Sequence, residues 1–165
     1  GNLGARGKIC YSRNMLIEIS SAEEMHDLGA RIAALLSGGE VIELVGDIGA
    51  GKTTFTKGLA AALGVEDDVQ SPTFTISRVY ETKRDMVLAH YDFYRIQDPG
   101  VLRAELAEAV QSPDTVTIIE WGAVVNDILP ADTIRITIDV TFEDTRKILV
   151  TAGGPESEKI LRELA

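Results

Sequence analysis

The sequence predicts a single α/β domain: a largely parallel central sheet with added antiparallel hairpins and helices on both faces. Three observations carry this reading. The short apolar run Val41–Val45 leads through a glycine-rich loop into a helical stretch, Lys52–Leu63. A second buried-strand pattern, Thr115–Ile119, ends in the carboxylate Glu120. Two pairs of β-rich segments are each joined by a polar turn, as hairpins are. Strand, glycine loop and helix together form the building unit of doubly wound α/β proteins.

Taken in order, Gly1–Asn14 holds three Gly and three basic residues without periodicity, and is expected to be a flexible N-terminal extension ahead of a domain over 15–165. Met15–Ile19 suits a strand. Ser20 or Ser21 then opens a helix with Glu23 and Glu24 in its first turn, where the helix dipole favours acids. Its apolar positions Met25, Leu28, Ile32 and Leu35–Leu36 recur at helical spacing until Gly38–Gly39 stop it. Val41–Val45, apolar except at Glu43, reads as a buried strand, and Gly64 ends the helix that follows the loop. Thr73–Tyr80 and Met86–Tyr94 flank the polar Glu81–Asp85 as an antiparallel pair. A helix over Val101–Val110, the strand ending at Glu120, a hairpin from Thr133–Val140 and Arg146–Thr151, and a closing helix Glu156–Leu164 complete the chain.

Composition narrows the function. The 165 residues carry 16 Lys+Arg against 26 Asp+Glu, a formal charge of −10, which disfavours gripping a phosphate backbone unaided. A hydrophobic fraction of 45% is ordinary for a folded domain, and no apolar run approaches the ~20 residues of a membrane span. The single cysteine, Cys10, forms no internal disulfide and fits a reducing, cytoplasmic setting. The lone His26 is assigned no role.

The most informative residues are Gly46-Asp47-Ile48-Gly49-Ala50-Gly51-Lys52-Thr53, a Walker A pattern between a buried strand and a helix. Glycines let the backbone wrap so that successive N–H groups face inward on phosphate oxygens. Lys52 brings a mobile positive charge to the β- and γ-phosphates. The Thr53 hydroxyl is placed to ligate Mg²⁺, and the helix offers its positive end. Nucleotide binding on a P-loop NTPase-like domain is the expectation.

Hydrolysis needs more: a carboxylate near the metal and a group that orients water. Glu120 and Asp92 each end a predicted strand, at the sheet edge where ligands bind in open α/β folds. Glu120 resembles a Walker B carboxylate, with a structural ion pair as the alternative. Asp92 shares a strand face with His90, where the two suit ordering a water; a solvated hairpin is the competing reading. Which carboxylate serves the metal and which the water is open. Ser71-Pro72-Thr73 forms a stiffened corner whose Thr73 hydroxyl suits sensing a γ-phosphate, or simply turns the chain into a strand.

At these residues the chain resembles the TsaE (YjeE) family, bacterial ATPases of tRNA threonylcarbamoyladenosine biosynthesis. Gly46–Thr54 stands as GDIGAGKTT, Ser71–Phe74 as SPTF, His90–Arg95 as HYDFYR and Ile119–Trp121 as IEW. The resemblance implies an ATP/ADP site with Mg²⁺, formed by Asp47, Gly49, Ala50, Gly51, Lys52, Thr53 and Thr54 with Trp121 nearby. It implies Thr53 and Glu120 for the metal, Thr73 in a switch-like loop, and Asp92 in a segment needed for hydrolysis. It also implies a TsaB–TsaD-like partner pair. The stretch Glu105–Asp114 and Gly122 depart from the family's usual pattern.

Arg95 is expected to make an intramolecular ion pair. Tyr91, Phe93 and Trp121 are read as core aromatics or a base-stacking cluster. A small-molecule kinase is the rival function; it is weakened because only Arg135, Arg146 and Arg162 follow Trp121, scattered rather than clustered as a lid. A common GTP-binding switch lacks its Asn-Lys-x-Asp reader.

Overall fold

In the computed structural model, residues 13–72 and 76–165 are described in full, together with the backbone of 2–4 and 8–10. Thr73, read above as a switch-like hydroxyl, lies outside the described residues. The strands are β1 (Asn2–Gly4), β2 (Lys8–Cys10), β3 (Asn14–Ile19), β4 (Val41–Val45), β5 (Ser77–Glu81), β6 (Val87–Asp92), β7 (Thr115–Glu120), β8 (Ile134–Phe142) and β9 (Thr145–Ala152). The helices are α1 (Ala22–Ala33), α2 (Lys52–Ala62), α3 (Val101–Gln111) and α4 (Pro155–Leu164).

One mixed sheet runs in the order β1-β2-β3-β9-β8-β4-β7-β6-β5. Its centre, β8-β4-β7-β6, is parallel, and antiparallel strands extend it on both sides. Within Gly1–Asn14, read as a flexible extension, the backbone of β1 and β2 adds two short antiparallel strands beyond β3. The β8–β9 hairpin turns through Glu143 and Asp144, because Phe142 still pairs with Thr145. No helix among the described residues is long and apolar enough to cross a membrane.

Two apolar layers cover the sheet. Met25, Leu28 and Ile32 of α1, Phe55 and Leu59 of α2, and Leu161 and Leu164 of α4 bury one face with Ile42, Leu44, Ile118 and Ile136. Leu106 of α3 covers the other with Val41, Ala89, Tyr91 and Ile119. Helix α1 stops at Ala33, short of Leu36: the Leu35 amide bonds Ile32 and the Leu36 amide bonds Ala33, tightening the last turn while still burying Leu36.

Helices α1 and α2 touch backbone to backbone. A Cβ on Gly58 would lie 1.9 Å from the His26 carbonyl oxygen, and one on Gly29 would lie 2.2 Å from that of Phe55. Only hydrogen fits at this crossing, which fixes where α2, and the loop that opens it, sits over the sheet.

The helix ends differ in how they are capped. At the N-cap of α1, Ser21 Oγ accepts the Glu24 amide at 3.1 Å, and the Glu24 carboxylate reaches back one residue further to accept the Ser20 amide at 3.0 Å, an arrangement close to a capping box. Helix α4 opens on Gly154 and borrows its cap: the Asp132 carboxylate accepts the Glu156 amide at 2.9 Å, the Ser157 amide at 3.1 Å and the Ser157 hydroxyl. Burial pushes the Asp132 carboxyl up, and these three hydrogen bonds outweigh it, holding it below the usual carboxylate range. A depressed folded-state pKa contributes stability that is whole above the unfolded value and is lost as pH falls through the folded one. Asp132→Ala is therefore expected to destabilise the protein by about 1 kcal/mol at neutral pH. Urea unfolding should show that gap to wild type shrinking as the pH drops below about 4.

Candidate nucleotide-binding site

Three parallel strands end at the same level. Leu44 of β4 lies beside Glu120 of β7, and Glu120 lies beside Asp92 of β6. The loop Gly46–Gly51 leaves β4 at this edge. Its chain turns by an Ala50 amide bond to the Asp47 carbonyl at 3.0 Å, with Gly49 at φ 82° and Gly51 at φ 117°, values that favour glycine. A Cβ on Gly51 would come within 3.0 Å of Met25 Cε, so α1 packs directly under the loop. Gly51 gives α2 no side-chain cap, which leaves the first-turn amides, those of Lys52, Thr53 and Thr54, at the end of the loop without a capping side chain.

Lys52 folds back across the loop. Its ammonium, on a side chain only 7% exposed, donates to the Gly46 carbonyl at 2.7 Å, lies 3.8 Å from Glu120 Oε1 and sits 4.4 Å from the Trp121 ring centre. A buried ammonium with one close acceptor and one carboxylate at longer range retains donor capacity for an anion. Thr53 and Thr54 are half-buried at the same helix end.

Glu120, also buried, uses its second oxygen, Oε2, on His90 Nε2 at 2.6 Å. Asp92 accepts the Tyr94 amide on Oδ1 at 2.9 Å and the Ser71 hydroxyl on Oδ2 at 3.3 Å. The structure thus brings Lys52, Glu120 and Asp92 to one sheet edge. His90 is tied to Glu120, the neighbour on β7, rather than to Asp92 on its own strand.

Trp121 leaves β7 in the left-handed conformation (φ 56°, ψ 46°), and its half-exposed indole tilts at 42° against the Tyr94 ring, 5.0 Å away. The Arg95 guanidinium lies over Tyr94, 4.9 Å from the ring centre, an aromatic contact where an ion pair was expected. Tyr91 and Phe93 stack at 6.0 Å and are buried in the α3 layer, so they are core. Burial first, and the Glu105 carboxylate second, push the Tyr91 phenol far above its usual range.

Beside the loop, a cleft of about 620 Å³ is lined by Gly46, Asp47, Trp121, Asn126, Asp139 and, with others, Glu43. Glu43, the polar residue of the β4 run, is buried and accepts from Arg135 Nε at 2.8 Å. Sequence reasoning missed Arg146. Its Nε donates to the Ala50 carbonyl at 3.0 Å, and Nη1 donates to the Glu143 and Thr145 carbonyls, bracing the loop from the β8–β9 hairpin. An arginine opening a hairpin strand carries no local signal for this.

Uncapped helix amides, glycines at positive φ and a buried ammonium suit phosphate oxygens. No cluster of three His, Cys, Asp or Glu side chains able to hold a metal occurs among the described residues. The Thr53 hydroxyl and the Glu120 carboxylate are oxygen ligands of the kind Mg²⁺ takes, one or two from the protein with phosphate and water completing its shell.

The threonylcarbamoyl adenosine biosynthesis protein TsaE family model matches residues 19–148. The chain belongs to the TsaE family. The TsaE protein of Streptomyces coelicolor is 40% identical over 135 residues, covering 79% of this chain and 91% of that protein. The TsaE protein of Bacillus subtilis is 38% identical over 143 residues, 87% and 89% respectively. The crystal structure of Bacillus subtilis YdiB superposes with a TM-score of 0.76 at 32% identity, over 92% of this chain and 94% of that one. The TsaE match spans Lys52, Asp92, Glu120, Trp121 and Arg146 alike.

Arg146→Ala is expected to loosen the loop while leaving the fold intact. Amide exchange at Ala50–Lys52 should quicken by roughly tenfold, the size of one charge-assisted hydrogen bond, with little change elsewhere.

Proposed function

We propose that this protein binds ATP with Mg²⁺ on a P-loop NTPase-like domain over 15–165, hydrolyses it slowly, and so serves tRNA threonylcarbamoyladenosine modification. Its partner in this reading is a TsaB–TsaD-like pair, and its setting the cytoplasm. The observation that carries the reading is the Lys52 ammonium, 2.7 Å from the Gly46 carbonyl and 3.8 Å from Glu120, at the mouth of an uncapped helix. Membership of a family named for threonylcarbamoyl adenosine biosynthesis supplies the process.

In this reading the amides of Gly49, Ala50, Gly51, Lys52, Thr53 and Thr54 bind phosphate oxygens, and Lys52 turns from the Gly46 carbonyl to the more negative β- and γ-phosphates. Asp47 flanks the loop and Trp121 walls the adjoining cleft, where the indole face meets the rest of the nucleotide. Thr53 and Glu120 would hold the magnesium, which would supply neutralisation of phosphate charge. Asp92 orients the attacking water: the Tyr94 amide and Ser71 hydroxyl fix its carboxylate, and Glu120 is the nearer of the two carboxylates to Lys52. Thr73 senses the γ-phosphate. The net charge of −10 agrees with docking on a modifying enzyme rather than holding tRNA directly.

Two outcomes follow. Lys52→Ala should lower ATP affinity by about a hundredfold in isothermal titration, the loss of charge-assisted bonds to the β- and γ-phosphates. Asp92→Asn should leave affinity within about threefold while phosphate release slows by roughly two to three orders of magnitude. Equal loss of binding in both would break the division of labour. Wild-type turnover alone should be slow, since arginine fingers contribute on the order of 10³ in rate and in this reading the stimulating group comes from the partner pair. Adding the partner pair should raise turnover, and phosphate transfer to a small acceptor would instead mark a kinase.

A further inference from the structure

His90 is fully buried on β6, and it faces Glu120 diagonally across the parallel β6–β7 pair, where His90 lies beside Ile118 and Asp92 beside Glu120. The 2.6 Å contact joins Nε2 to Glu120 Oε2. A carboxylate only accepts, so Nε2 is the donor. The other ring nitrogen, Nδ1, is buried with no hydrogen-bond partner among the described residues. Among the described residues the imidazole therefore has one polar contact, Glu120.

The same carboxylate has Oε1 3.8 Å from the Lys52 ammonium, longer than the usual contact of a charge-assisted hydrogen bond, about 2.8 Å. Without a competing donor, two buried opposite charges so close together would collapse into a direct pair. Lys52 would then be withdrawn from the loop's concavity and Glu120 Oε1 taken up by it. We propose that His90 is a positioning residue. By donating Nε2–H to Oε2 it fixes the Glu120 carboxylate, so that Oε1 stays directed at the magnesium site and Lys52 stays free for phosphate. This rests on the reading of Glu120 as the metal-directed carboxylate.

The test compares ADP affinity in MgCl₂ and in EDTA for wild type, His90→Phe, His90→Gln and His90→Asn, with thermal melts to confirm folding. Glutamine carries its amide nitrogen at about the reach of Nε2, whereas asparagine carries it at that of Nδ1. His90→Phe should cut the magnesium-dependent gain in affinity by about tenfold, the usual effect of removing a hydrogen-bond partner of a metal ligand. His90→Gln should restore most of that gain and His90→Asn should not. An unchanged gain in His90→Phe, or identical losses in the glutamine and asparagine variants, overturns the proposal. Glu120→Gln separates the two readings: if it too leaves the gain intact, Glu120 is not the metal carboxylate, and if it alone abolishes the gain, only the role of His90 falls. Should the substitutions unfold the protein, nitrogen NMR of the wild type decides. A proton on Nε2, slow to exchange, is expected, and a bare Nε2 refutes the donor assignment.

Discussion

A buried ammonium group is the constraint around which the site is organised. Lys52 is taken almost wholly out of water, and an unpaired charge there costs several kcal/mol. Its partners come from three places at once: the Gly46 carbonyl from its own loop, Glu120 from β7, and the Trp121 ring immediately after. None of these is adjacent to Lys52 in sequence, so the charge is tolerated only when the sheet, the loop and the helix are all in place. Folding and the readiness of the site are one event.

The fold supplies that coincidence through two devices. The first is the register of the parallel core, which brings the C-terminal residues of β4, β7 and β6 to one level and turns Glu120, His90 and Asp92 toward the α2 side. The second is the glycine-to-glycine crossing of α1 and α2, which lets α2 settle low enough for Met25 to support Gly51. A methyl group at Gly58 would push backbone against backbone, and the displacement would be passed to the loop because α2 begins there. The glycines carry a helix-propensity cost of about 1 kcal/mol each for this geometry.

Much of this was legible from residue order alone, and the reasons are local. Val41–Val45 had the length and apolarity of a strand covered on both faces, and the Gly46–Gly51 loop and Lys52 followed it directly. Glu120 stood out as a carboxylate closing an apolar run. What remained hidden depended on pairing across distance. The Glu120–His90 bond exists because β6 and β7 are neighbours, a matter of sheet order rather than of periodicity within β6, where Asp92 was the nearer candidate. Arg146 reaches Ala50 only after the chain reverses at Glu143, and Arg135 reaches Glu43 only because β8 lies beside β4. Gly29 and Gly58 carry no local signal; their value appears only when the helices cross. Arg95 had a carboxylate three residues before it, yet its left-handed backbone (φ 64°) accompanies a guanidinium laid over Tyr94.

That last conformation belongs to a pattern. Among the described non-glycine residues at positive φ, Glu143 turns the β8–β9 hairpin, while Ile76, Arg95 and Trp121 surround the ends of β6 and β7. A left-handed residue with a Cβ costs roughly 1–2 kcal/mol, and a β-branched one such as Ile76 more. Each is held by a contact at the site: the Ile76 carbonyl accepts the Asp92 amide at 2.8 Å, Arg95 rests on Tyr94, and Trp121 is caught between Tyr94 and Lys52. The interactions available to the Trp121 ring, an aromatic pair and a cation over its face, are each about 1 kcal/mol, comparable to the strain they offset. In the proposed function, a phosphate that drew the Lys52 ammonium away would remove one of the contacts that offset the strain at Trp121.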